Sequence, residues 1–176
     1  MATTPEAFLG ARGAPVVHVD VWMRNLQRAA ASYGLSAQAM DAGAVCGRVH
    51  LESALVHARG AFARGNNMAR TLWVEWVLCA AGVRQVDVAF NRVGIRPGTE
   101  VFAILLLSDE EEKAITEEVS QAFLGSLDLE RDDRVLDCSE DALRRLGVGD
   151  AELAAVPRES WTDLALERVA LLDLER

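Results

Sequence analysis

Two histidines on one stretch of chain, His50 and His57, with Glu52 between them and Cys46 just ahead, are residue types that bind metals or move protons. His50-Leu51-Glu52 matches the H-x-E half of a zinc deaminase site, yet no P-C-x-x-C follows, so the metal would lack its remaining ligands. Seven residues apart on a helix, the two imidazoles share a face but stand about 10.5 Å apart along the axis, too far to hold one ion directly. Cys46, Cys79 and Cys138 are odd in number, far apart and never spaced C-x-x-C. They suggest neither a disulfide framework nor a zinc knuckle and fit a reducing, intracellular compartment. The one lysine, Lys113, sits in an acidic run, so no G-x-x-x-x-G-K-[ST] loop exists, and neither G-x-G-x-x-G nor G-x-S-x-G occurs. The expectation is a protein that is not an enzyme and carries no metal and no cofactor. A hydrolase would need a pocket with a perturbed titratable cluster near His50 and His57.

The charge distribution points elsewhere. The chain has 176 residues and a net charge of −9, which by itself argues against nucleic acid. Residues 1–47 balance three arginines against three acids. Residues 48–96 set Arg48, Arg59, Arg64, Arg70, Arg84, Arg92 and Arg96 against Glu52, Glu75 and Asp87, a net of +4. Residues 97–176 hold eight bases and 21 acids, a net of −13. One third is therefore a basic island, either a binding surface or a helical run of solvated arginines.

The elements that must position this island follow from hydrophobic period and punctuation. Residues 15–22 alternate Val17, Val19 and Val21 with His18 and Asp20, which predicts a half-buried strand. A short helix over 23–33 closes at Gly34. From 48 to 64, Leu51, Leu55, Ala58 and Phe62 fall on one helical face, and Gly65 ends that helix. His50, His57, Ala61 and Arg64 form one polar rail beside it, and Arg48, Glu52 and Arg59 another; both rails are equally readable as ordinary boundary residues. Residues 68–81 are apolar nearly all round and predict a buried helix capped by Asn66 or Asn67, in which Glu75 needs a partner, expected to be an arginine. A third helix covers 84–93, and the run 99–107 reads as a central strand. A capping box at Ser108 and Glu111 predicts a helix from 109 to about 124. Short helices over 139–146 and 151–155 precede a last segment, 161–174, that reads as helix or strand. The longest apolar stretches fall short of the roughly 18 residues of a membrane span. Together these give a single α/β domain of α+β type, a small mostly antiparallel sheet covered by several helices.

The residues His50-Leu51, Ala54, His57-Ala58, Ala61-Phe62, Gly65-Asn66-Asn67-Met68-Ala69, Glu75, Leu78 and Gly82-Val83-Arg84-Gln85-Val86 form an ordered series. With Ala89, Gly94-Ile95 and the ending Leu166-Glu-Arg-Val-Ala-Leu-Leu172, this series resembles the small kinase-binding subunit of the KEOPS complex. The likeness covers residues 42–107 well, the C-terminus in part, and the first 40 residues hardly at all. Asn67 and Met68 stand where a more aliphatic residue is expected next to the asparagine, which leaves open which asparagine matters. The resemblance implies a cytoplasmic, non-catalytic subunit in the making of threonylcarbamoyl adenosine. Such a subunit docks on the complex's small atypical kinase and helps hold the single-stranded 3′ CCA end of tRNA, with no membrane partner. Arg59, Arg64, Arg70 and Arg84 are the expected phosphate contacts, and Asn66 and Gln85 the expected base or ribose contacts. Trp161, Leu164 and Leu172 are the expected kinase contacts, or else ordinary core, with the acidic third steering a basic partner. The alternative is a kinase-binding module that never touches RNA.

Overall fold

A computed structural model describes residues 5–108 and 114–174, and its backbone divides into two compact units. The first, residues 1–42 with 95–135, contains β1 (Glu6–Arg12), α1 (Val19–Ala31), β2 (Leu35–Asp41), β3 (Val101–Ser108), α5 (Glu117–Gly125) and β4 (Glu130–Arg131). The second, residues 43–94 with 136–176, contains α2 (Arg48–Arg64), α3 (Leu72–Ala81), α4 (Val86–Val93), α6 (Glu140–Arg145), α7 (Asp150–Ala155) and α8 (Trp161–Leu174). The architecture is α+β, with an antiparallel sheet and helices, as the sequence reading expects.

In the first unit the sheet order is β2-β3-β1-β4, every pair antiparallel. β3 lies between β1 and β2, with Phe102 to Leu106 buried on both faces, which is why a continuous apolar run betrayed it. Leu9, Ala11, Ala37, Ala39, Phe102, Ile104 and Leu106 share a core with Leu26 and Ala30 of α1 and Phe123 of α5. Trp22 stacks on Phe102 with centroids 4.6 Å apart.

One expectation fails here, and another falls partly outside the described residues. Residues 15–22 are not a strand: Val17 is 70% exposed, and α1 begins at Val19, with His18 as its N-cap residue. The alternation mimics a pleat over a segment that instead enters a helix. The capping box at Ser108 and Glu111 involves residues 109–113, which lie outside the described residues. The helix expected there runs only from Glu117, where the Thr116 hydroxyl accepts from the Val119 N–H.

All the regular elements of the second unit's described residues are helices. α2 packs on α3 and α8, and α3 also packs on α4. The Trp76 indole N–H donates to the Leu51 carbonyl at 3.1 Å, pinning α3 to α2. Gly82 ends α3 at φ 63°, and a Cβ there would stand 2.9 Å from Cβ of Arg168, so α8 passes close only because that position is glycine. The last segment is a helix, with Ala165, Val169 and Leu172 buried at helical spacing. Contrary to the reading of three separate thiols, Cys46 and Cys138, 92 positions apart, are joined by a disulfide, while Cys79 is buried and outside that bond.

Candidate nucleic-acid interface

His50, the first residue suspected of chemistry, is fully buried. Its Nδ1 accepts from the Cys46 backbone N–H at 3.2 Å, and Nε2 donates to the Ala80 carbonyl at 2.9 Å, so both ring nitrogens are engaged with backbone. Burial pushes its pKa down to about 4, partly opposed by the Ala80 bond, so the ring is neutral at pH 7 and ties the start of α2 to the end of α3. His57 Nδ1 stands 2.6 Å from Oδ2 of Asp173, which also accepts from Arg64 at 3.2 Å. Among the described residues, no group of three or more His, Cys, Asp or Glu side chains is arranged to hold a metal ion. The hydrolase reading finds no cluster at His50.

The basic island centres instead on the loop between α2 and α3. Gly65 ends α2 at φ 71°; its N–H bonds to the Phe62 carbonyl and the Asn66 N–H to the Ala61 carbonyl, a Schellman closure that fixes where Asn66 leaves the helix. Glu75, fully buried on α3, turns Oε2 back to accept from the backbone N–H of Met68 at 2.9 Å and of Ala69 at 2.7 Å. Backbone amides thus do at Oε2 what the sequence reading assigned to an arginine. The Asn67 side-chain amide donates to the Ala69 carbonyl at 2.9 Å. Thr71, rather than Asn66 or Asn67, caps α3, with its hydroxyl accepting from Val74 N–H. The loop is therefore built from within, by one carboxylate.

The loop carries Asn66 and Arg70, both exposed, with Arg64 exposed at the end of α2 and Arg59 exposed one to two turns back along it. Arg84 and Gln85, also exposed, sit at the other end of α3. A ten-residue helix rises about 15 Å, so one ligand reaching both groups has to be extended. Arg70 and Arg84 make no hydrogen bond or ion pair among the described residues, whereas Arg64 is held by Asp173. The two polar rails are reduced: His50 and Ala61 are buried, and Arg48 pairs with Glu52 at 2.7 Å. Phe62, read as the end of the buried face, is 36% exposed.

On α8, Leu164 and Leu172 are buried, at 7% and 2% exposure, and belong to this chain's own core. Trp161 is half-buried, with the Arg158 guanidinium 5.3 Å from its ring centroid. The apolar side chains that α8 leaves in solvent are Leu171 and Leu174, which a count of apolar residues along 161–174 does not separate from their buried neighbours.

Two comparisons with known proteins bear on this. No curated protein matches the chain. The profile of a protein family described as kinase binding protein CGI-121 matches residues 23–140, about two thirds of the sequence and most of the basic island's surroundings. The chain belongs to the CGI-121 family of kinase binding proteins.

Proposed function

We propose that this chain is a non-catalytic accessory subunit of the KEOPS complex, which makes threonylcarbamoyl adenosine in tRNA, and that it acts in the cytoplasm. In this reading it binds the complex's small atypical kinase and holds the single-stranded 3′ CCA end of tRNA. The observation that carries the RNA half is the loop of residues 65–71, which carries the exposed Asn66 and Arg70 just after the exposed Arg64 and whose backbone at Met68 and Ala69 is held by the buried Glu75 before any ligand arrives. Arg70 and Arg84 offer guanidinium groups that no carboxylate of the described residues neutralises, and Arg59 and Arg64 add charge along α2. Asn66 and Gln85 stand beside them with exposed amides for base or ribose edges. A disulfide is uncommon in that compartment, so the thiol state of Cys46 and Cys138 belongs among the first measurements.

The test is charge reversal at residues that carry no fold. The double variant Arg70→Glu with Arg84→Glu is expected to weaken tRNA binding about ten-fold or more at low salt and to flatten the log–log salt dependence, by about 0.7 per lost contact on a single strand. Unchanged affinity and slope would leave only the second reading, a kinase-binding module without RNA.

For the kinase, we place the contact on the outward side of α8, with Trp161 at one end and Leu171 and Leu174 at the other, and with Leu164 and Leu172 supporting it from beneath. The exposed Asp163 and Glu167 on the same helix suit a basic partner. Leu171→Glu with Leu174→Glu is expected to abolish co-purification of the kinase while the melting temperature stays within about 2 °C, since both side chains already face water. Full retention of the kinase by this folded variant moves the contact off α8.

A further inference from the structure

We infer that Phe62, near the end of α2, is a stacking platform for an unpaired nucleobase. This rests on the RNA reading above and goes beyond its list of polar contacts. On α2 the side chains sharing the phase of Phe62 are buried: Leu51, Leu55 and Ala58 are each at 1% exposure or less. Phe62 alone of that row leaves more than a third of its surface in water, and among the described residues its ring meets no other aromatic ring or cation. It is also rigidly placed. Its carbonyl takes the Gly65 N–H, the Ala61 carbonyl takes the Asn66 N–H, and the loop beyond is held by Glu75.

Helical spacing sets its company. Arg59 stands three residues before Phe62 on the exposed side of α2, and Asn66 follows just past Gly65, where the chain leaves the helix. Arg70, with no partner among the described residues, lies beyond that loop. An exposed apolar ring with a cationic neighbour one turn back along its helix is poorly matched to a basic protein side chain. It suits a ligand that presents a flat π face and a negatively charged backbone together. That is a single-stranded nucleic acid, whose bases are free to turn outward; a duplex keeps its faces stacked inside.

The test uses the full chain and two forms of one tRNA: one with its 3′ end free, the other with that end annealed to a short complementary strand. Phe62→Ala and Phe62→Leu are expected to weaken binding of the free-ended tRNA about ten-fold, while Phe62→Trp stays within about two-fold of the parent. The salt slope should be unchanged in all three, because no charge is removed. The annealed tRNA should bind weakly and respond to none of them. Phe62→Leu keeps the apolar bulk, so a fold that survives only with leucine still leaves the proposal testable. If Phe62→Leu binds the free end as the parent does, or if the annealed form binds as well as the free one, stacking at Phe62 is wrong. That outcome is separable from failure of the RNA reading itself, in which Arg70→Glu with Arg84→Glu would also have no effect.

Discussion

Glu75→Ala is expected to lower the melting temperature by about 10 °C, a loss of about 3 kcal/mol, and to open the loop of residues 66–71 to hydrogen exchange. The carboxylate is fully buried and accepts from two backbone N–H groups that have no alternative helical partner, because they precede the first turn of α3. Hydrogen bonds to a charged acceptor contribute more than neutral ones, and losing the acceptor strands both donors. Glu75→Gln keeps one acceptor oxygen in the same place, so its cost should be about a third of that. RNA affinity should fall with loop order in the alanine variant even though no residue expected to touch RNA has changed. A thermal melt of Glu75→Ala within about 2 °C of the parent would show that water satisfies the two amides and that the loop does not depend on this side chain.

The second large effect is a dependence on acid set by His50. Its folded pKa of about 4 lies below the ordinary value of 6.5, so the unfolded chain binds the proton first. Stability is then complete above pH 6.5 and declines as pH falls toward 4, with about 3 kcal/mol lost across that window. Carboxylates act lower down. Asp132, held below the usual range by Arg134 and then Arg12, and Glu152, held down by Arg168, keep their contribution until pH drops past the ordinary carboxylate values. Denaturant midpoints at pH 7, 6 and 5 therefore report mainly on the histidine, and His50→Gln should flatten them while lowering the value at pH 7. Equal pH slopes for parent and variant over that range would mean that the ring is not neutral in the folded state.

Much of the second unit was legible from period and punctuation. α2 begins and ends where the leucine spacing and Gly65 put it, and α6 follows its N-cap residue Ser139, whose hydroxyl accepts from Ala142 N–H. The first unit was harder. β1 and β2 read Glu-Ala-Phe-Leu-Gly-Ala-Arg and Leu-Ser-Ala-Gln-Ala-Met-Asp, poor in branched residues, and they are strands because β3 offers both of its edges for pairing. α8 was ambiguous because Val169, Ala170 and Leu171 are equally at home in a sheet; packing against α2 and α3 decides it. At the candidate site, charge showed which third of the chain to look at. Burial separated Arg70 and Arg84, which stand in water, from His50, which does not. No local pattern distinguishes Phe62 from Leu55, or Leu171 from Leu172, since exposure at a boundary position is set by what packs beside it and not by the residue's own type.

The bond between Cys46 and Cys138 has a topological consequence. The second unit is discontinuous in sequence, and residues 95–135 are an insertion between its two pieces. A covalent link from the head of one piece to the head of the other, between cysteines 92 positions apart, closes the intervening stretch into a ring. A backbone cut inside that ring leaves a nicked molecule whose fragments still share one covalent skeleton, and only loss of the cystine turns the nick into two separate chains. While the ring is closed, residues 48–94 and 139–174 stay tethered to each other whatever happens to the sheet-bearing segment between them.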